Sequence, residues 1–361
     1  MKRQFKTLLA SILFLGANIF PANACTGITL KTTGGLPVLA RTIEWGGSDL
    51  NSQYVVVPRG YEQQSYIPGG SAEGMAFRSR YGYVGLAVQQ KEFVAEGLNE
   101  KGLSAGLFYF PNYGRYETYA PASKDSSIAD LQLVSWILGS CATVDEVIKA
   151  IESVHVVAID PRASTVHWRF ADPSGRQVVL EIIDGRPCFY ENKLGVLTNS
   201  PGFEWQLTNL NNYVNLFPGS APSQQLGETK LSPFGAGSGF LGIPGDVTPP
   251  SRFVRAAFYQ ATAPQTETAG EAVRQCFQIL NNFDIPIGIE SARGEKAPNL
   301  PSATQWTSAT DPTNRVIYYR TMFDSRIRSI DLKTIDFARI AYRAVPLDKV
   351  KEQPIETIDI C

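Results

Sequence analysis

Histidine is almost absent from this chain, which carries two in 361 residues, His155 and His167. The five cysteines, Cys25, Cys141, Cys188, Cys276 and Cys361, have no close spacing, so a zinc site of the usual Cys/His kind lacks ligands. Neither sign of charge dominates: 33 Lys+Arg stand against 34 Asp+Glu, a net charge of -1. That balance provides no electrostatic footprint for nucleic acid, and no polybasic tract suits an anionic membrane surface. Long apolar runs are missing too. The one near the N-terminus, residues 8–17, is too short to cross a bilayer comfortably, and no later segment is longer. There is no internal repeat, no composition break that marks a linker, and no motif that calls for a cofactor or a resident metal.

What is present is enough apolar material for a sizeable core, 43% hydrophobic and 11% aromatic residues. The N-terminus is the most informative stretch. Lys2, Arg3 and Lys6 precede the apolar run, then come Pro21 and Ala22-Asn23-Ala24 before Cys25. This is the three-part layout of a secretory signal peptide with an A-x-A-like cleavage site. The expectation is a signal peptide over 1–24 and a single domain over 25–361, exported to a bacterial periplasm with no stable membrane anchor. Cleavage after Ala24 would make Cys25 the first residue. A lipoprotein also begins with cysteine, but its recognition site prefers Leu three residues before it, where this chain has Ala22. A third reading pairs Cys25 in a disulfide, as secreted proteins commonly do. Five cysteines leave one unpaired if the others pair, and no spacing decides which.

From Thr26 the pattern is that of strands. Residues 26–30 and 37–45 read as a hairpin around Gly34-Gly35, which puts Arg41 and Glu44 opposite Cys25. Further strands fit 54–57, 83–88, 93–98 and 103–110. Apolar periodicity predicts a helix over 128–138. Thr143-Val144-Asp145-Glu146 reads as a capping box opening a second helix to about Val154. A hairpin over 166–170 and 177–183 follows, with a Gly/Pro/Ser-rich excursion over 219–250. Helices fit 251–259 and 271–280, and strands return at 315–322 and 328–332. This succession suits a layered α+β domain.

A free N-terminal cysteine carries both halves of a catalytic pair, because its thiolate is a nucleophile and its own α-amine can act as the base. The unperturbed values, roughly 8.5 for the thiol and about 7.7–8.0 for the amine, lie close, so proton transfer between them costs little. No catalytic histidine is needed. A Cys–His pair using His155 or His167 is the other arrangement, although His167 in Val166-His167-Trp168 reads more simply as a strand residue. An arginine near the thiol would stabilise its thiolate and a carboxylate near the amine would orient it, the tasks open to Arg41 and Glu44.

Cys25-Thr26-Gly27 with Arg41 and Glu44, then residues 98–103 (LNEKGL) and Tyr109-Phe110-Pro111, resembles the choloylglycine hydrolase family. The likeness continues at residues 196–201 (VLTNSP), Phe203, residues 205–207 (WQL), Ser251-Arg252-Phe253, Tyr318-Tyr319 and Asp331-Leu332. That family comprises bile salt hydrolases and penicillin V acylases among the N-terminal nucleophile hydrolases. The resemblance implies a four-layer αββα sandwich and hydrolysis of a small-molecule amide with an apolar acyl group. It makes Cys25 the nucleophile, with Arg41 beside it. Glu44 stands where the family usually has Asp, Asn199 where its oxyanion-hole asparagine lies, and Arg252 at a second active-site arginine. Tyr109, whose backbone N–H would complete the hole, stands where penicillin V acylases have Tyr and bile salt hydrolases commonly Asn.

With the export signal, Tyr109 leans the expected substrate toward penicillin V and N-acyl-homoserine lactones, with bile salts the alternative. Trp45, Tyr83, Phe108 and Tyr113 are the aromatic side chains available for an acyl pocket. Relatives assemble as homotetramers, which makes a homo-oligomer the expectation here. A lipidated, non-catalytic periplasmic binding protein is the reading from another class.

Overall fold

The computed structural model describes residues 23–161 and 163–360. All but two residues of the expected signal peptide, and Cys361, thus lie outside the described residues. The chain enters on a hairpin whose strands β1 (Asn23–Lys31) and β2 (Pro37–Trp45) pair antiparallel over their full length. The turn between them depends on Gly35, whose φ of 80° is reached without strain only by a residue lacking Cβ.

Ten further strands and one late edge strand complete two antiparallel sheets. The strands are β3 (Gln53–Val57), β4 (Tyr83–Ala87), β5 (Val94–Asn99), β6 (Ser104–Tyr109), β7 (Val166–Ala171), β8 (Gln177–Ile183) and β9 (Arg186–Glu191). Then come β10 (Thr304–Asp311), β11 (Val316–Thr321), β12 (Arg328–Asp331) and β13 (Arg343–Pro346). One sheet has five strands in the order β1-β2-β10-β11-β12, and the other has eight, β9-β8-β7-β6-β5-β4-β3-β13. Helices α1 (Leu133–Ser140) and α2 (Val144–Ile151) lie against the larger sheet. Helix α3 (Phe203–Asn209) packs on α4 (Pro249–Thr262), and α4 and α5 (Ala269–Leu280) cover the smaller sheet. Helix, sheet, sheet, helix is the layered α+β architecture expected from the sequence. The core runs continuously between the layers, from Ile28, Val38 and Ile43 through Leu98, Phe108 and Trp168 to Phe253 and Phe277.

The elements depart from expectation in three places. The apolar stretch from Ile128 does not start a helix: Ser127–Ala129 is a short strand paired in parallel with His155–Val157, and α-helix begins only at Leu133. All three residues of that strand are buried, so apolar spacing alone did not distinguish strand from helix. Strand β10 was not expected at all. It reads TQWTSATD, yet every residue is buried, because it sits between β2 and β11 in the middle of its sheet. The expected capping box at Thr143 is half formed: the Thr143 hydroxyl accepts from the Glu146 N–H, but the Glu146 carboxylate accepts from Ala142 instead. The full box occurs at Thr268 and Glu271, at the start of α5. The excursion over 219–250 carries only a short exposed hairpin, Gln224–Leu226 with Thr229–Leu231, and a single 3-10 turn.

Helix α1 approaches the larger sheet closely where β5 has Gly97. A Cβ there would lie 2.5 Å from Leu138 Cδ1 and 2.9 Å from the Val84 carbonyl oxygen. Gly97→Ala is therefore expected to destabilise the fold by roughly 1–3 kcal/mol through overpacking. An unchanged midpoint of thermal unfolding would contradict this account of how α1 is seated.

Candidate active site

Strand β1 is an edge strand, and its outward N–H groups must find partners beyond the sheet. Three residues in alternation meet that need differently. Thr29 N–H donates to Gln260 Oε1 at 2.8 Å, and Gly27 N–H to the Leu197 carbonyl at 2.6 Å. Cys25 N–H donates to Asn199 Oδ1 at 2.9 Å. The segment 197–199 thus closes the edge with one backbone bridge and one side chain. Asn199 is itself held on three sides: Oδ1 also accepts from Arg252 Nη2 at 2.7 Å, and Nδ2 donates to the Tyr109 carbonyl at 2.7 Å. His167 fixes the preceding residue, one ring nitrogen meeting the Thr198 carbonyl at 3.1 Å and the other Glu181 Oε1 at 3.1 Å. It lies more than nine-tenths buried in β7, stacked on Phe110, as the plainer reading of the sequence expected. His155 is partly exposed and pairs with Glu117, away from this cluster.

Arg252 reaches the site from α4. Its Nη1 donates to the Cys25 carbonyl at 2.5 Å and to Thr26 Oγ1 at 2.8 Å, while Nε donates to the Val247 carbonyl at 2.8 Å. Burial lowers its pKa, and the nearby Glu44, Cys25 and Glu290 counter that. Arg41 comes from the opposite layer. It is fully buried between the sheets, with Nη1 donating to the carbonyls of Leu107 at 2.5 Å and Ala95 at 3.2 Å, and Nε to Thr42 at 3.1 Å.

The hairpin register corrects the expectation that Arg41 and Glu44 both face Cys25. Ile43 stands opposite Cys25, Arg41 opposite Gly27, and Glu44 opposite Ala24. Side chains alternate along a strand, so the thiol and Arg41 share the face between the sheets. Glu44 lies on the other face, toward α4, with Arg252. Gly27 has a steric reason to be glycine: a Cβ there would lie 3.0 Å from both Phe108 Cζ and Arg169 Nη1.

Cys25 is 4% exposed, and burial pushes the pKa of its thiol up. Arg41 pulls hardest in the other direction, Glu44 adds to the rise, and the Tyr109 backbone N–H and Arg252 lower it. Tyr109 therefore presents its N–H to the sulfur from the end of β6. Of the aromatic side chains considered for a pocket, Tyr83 and Phe108 are core residues, whereas Tyr113 is exposed and Trp45 bonds Ser48. Cys141, Cys188 and Cys276 are free thiols, as is Cys25. Among the described residues no group of three or more His, Cys, Asp or Glu side chains is arranged to hold a metal. The sequence reading missed Glu96, Arg169 and Glu290. A charge inside an otherwise buried strand was the signal for the first two, in Ala95-Glu96-Gly97 and Trp168-Arg169-Phe170.

Comparison with known proteins places these residues in context. The model of the choloylglycine hydrolase family of linear amide C–N hydrolases matches residues 25–342. A bile salt hydrolase/transferase of Clostridium perfringens is 30% identical over 314 residues, 85% of this chain and 92% of the relative. A penicillin V acylase of Pectobacterium atrosepticum is 26% identical over 338 residues, 86% and 81%. The crystal structure of a mutant conjugated bile acid hydrolase from Clostridium perfringens superimposes with a TM-score of 0.79 at 28% identity, covering 93% of this chain and 100% of that one.

Glu44 provides a test of the site's electrostatics. Burial pushes its pKa up to about 8, against the charges of Arg252 and Arg41. A carboxyl whose folded value is raised binds its proton more tightly when folded, so stability falls as pH rises from the ordinary carboxyl range to about 8. Glu44→Gln should remove that decline. A variant whose stability falls as steeply as the parent's over the same window would contradict the assignment.

Proposed function

The chain belongs to the choloylglycine hydrolase family of linear amide C–N hydrolases, and from that premise we propose that Cys25, once N-terminal, is its nucleophile. The substrate class we infer is a conjugated bile salt, in which a secondary amide joins an apolar acyl group to a small acidic amine. The observation that carries the nucleophile is the grip on Cys25 from both ends. Its nitrogen is held by Asn199 Oδ1, its carbonyl by Arg252, and its sulfur takes the Tyr109 N–H beside the charge of Arg41. A cysteine with only a packing role needs none of these.

In the reaction the α-amine takes the thiol proton and the sulfur attacks the amide carbonyl carbon. The Tyr109 N–H and the second N–H of Asn199 Nδ2 receive the oxyanion, where a neutral donor stabilises charge as it develops. The ammonium then gives its proton to the leaving nitrogen, the C–N bond breaks, and the acyl group remains as a thioester on Cys25. Water attacks that thioester, loses its proton to the amine, and releases the acid with the thiol restored. Glu44, on the strand opposite the residue that cleavage removes, orients the ammonium.

The bile salt reading rests on the comparisons, where the relative of that name is more similar than the acylase. It displaces the acylase preference drawn from the sequence. Tyr109 is the one observation that favours penicillin V or acyl-homoserine lactones, and it keeps that reading second. The lipidated binding protein gains no support from a family of hydrolases.

Export belongs to the same proposal. Ala24 and Cys25 are both about 4% exposed within β1, so a separate protease reaches the bond between them only before β1 joins β2. Removal during export, ahead of folding, fits that geometry. A homo-oligomer is part of the reading too, supported by the exposed Val214, Phe217, Phe234 and Leu241 along the excursion and its approach.

Three measurements test the proposal. Cys25→Ala in the mature protein should lower hydrolysis by roughly 10³-fold or more with little change in thermal midpoint. Retaining one residue before Cys25 should do the same, and full activity in that form would sink the α-amine as base. A panel of glycine- and taurine-conjugated bile salts, penicillin V and acyl-homoserine lactones should show its highest kcat/KM on a bile salt. A higher value on penicillin V or an acyl-homoserine lactone would hand the assignment to the second reading.

A further inference from the structure

Beneath the nucleophile lies a buried charge cluster that the reaction as written does not use. Glu96 of β5 sits between two arginines, Oε2 3.7 Å from Arg41 Nη1 and Oε1 3.5 Å from Arg169 Nη2. All three side chains are 1% exposed or less. Phe108 joins them, with the Arg41 guanidinium 4.0 Å and that of Arg169 5.5 Å from its ring centroid. Arg169 Nη1 also lies 3.4 Å from the carbonyls of Ile28 and Ala40, one on each strand of the hairpin that carries Cys25.

The backbone leaves room for both of the unassigned charges. Gly106 stands opposite Glu96 in the β5–β6 register, and a Cβ there would fall 2.2 Å from Glu96 Oε2. Gly27 does the same for Arg169, where the corresponding distance to Nη1 is 3.0 Å. Two glycines on two strands thus make space for a carboxylate and a guanidinium that apolar residues could have replaced more cheaply.

The charge count gives the cluster a purpose. With Arg41 and Glu96 alone, the carboxylate would largely cancel the field that Arg41 presents to the sulfur. Arg169 supplies a second positive charge, so the trio carries one net positive charge, and a thiolate on Cys25 completes neutrality. We propose that Glu96 and Arg169 are positioning residues for the reaction. Glu96 fixes Arg41 below the thiol, and Arg169 offsets the charge of Glu96 so that the charge of Arg41 stays available to the sulfur. The inference rests on Cys25 being the nucleophile.

The charges that act on the sulfur are Arg41 of β2, on its own face of the hairpin, and Glu44 of β2 and Arg252 of α4 from the other face. The cluster itself is faced by Cys276 of α5, whose thiol burial pushes up to about 12, so it stays neutral. None of these is changed in the test. The mature protein is checked by intact mass, and the rate at which iodoacetamide alkylates Cys25 is followed against pH at the Cys25 peptide.

Glu96→Gln removes a negative charge and should move the profile to lower pH. Arg169→Met removes a positive charge and should move it to higher pH. Each shift corresponds to about tenfold in rate on the acid side. The double variant should return close to the parent, and Arg169→Lys should leave the profile in place, which keeps the test decisive if Arg169→Met does not fold. General damage to the site would move both single variants the same way, and that outcome, or no movement in either, overturns the proposal. Failure of the nucleophile reading is seen separately, as hydrolysis that persists in Cys25→Ala.

Discussion

The outward N–H groups of β1 have no strand beside them, and the way they are satisfied organises the site. Gly27 and Thr29 use a backbone carbonyl and a glutamine, but Cys25 uses the side chain of Asn199. That choice fixes the direction of the Cys25 nitrogen by a group that is itself clamped by Arg252 and by the Tyr109 carbonyl. On the proposed reading, loss of the residues before Cys25 would leave an amine where the peptide N–H now points. The edge that a sheet protein must cover against stray pairing is here covered by the segment that carries Asn199.

The second constraint is the burial of arginine. Arg41, Arg169 and Arg252 are each 1% exposed or less, a state that is costly unless every guanidinium is paired and hydrogen-bonded. Arg252 meets that demand on the helix side of the hairpin, through Asn199 Oδ1, Thr26 Oγ1 and the carbonyls of Cys25 and Val247. Arg41 and Arg169 meet it between the sheets, through strand carbonyls and Glu96. Cys25 lies on the strand that separates the two groups. Positive charge therefore reaches it from both layers, against a burial that by itself disfavours the thiolate.

Much of the fold was readable from pattern. The hairpin, the strands β3 to β8 and helices α4 and α5 follow from apolar runs rich in β-branched and aromatic residues, helical periodicity and bounding turn residues. β10 was invisible since its neighbours on both sides bury it regardless of polarity, so Thr, Ser and Asp replace the expected apolar residues. The false start of helix at Ile128 has the complementary cause: a fully buried short strand leaves no polar phase to reveal its period. Among the site residues, Cys25, Arg41, Tyr109, Asn199 and Arg252 do converge, whereas Glu44 lies one face away from where the hairpin was expected to put it.

By itself the sequence determined the residue types near the start of the fold: a cysteine behind an apolar N-terminal run, in a hairpin with an arginine, and only two histidines in the chain. Those are properties of residue type and local spacing, which need no distant contact. Only the tertiary structure decided which groups reach the thiol. Asn199 lies 174 positions from Cys25 and Arg252 lies 227, separations no local rule spans. The parity of the strand register decided the rest, placing Arg41 with the sulfur and Glu44 behind it, because a shift of one residue exchanges the two faces of a strand.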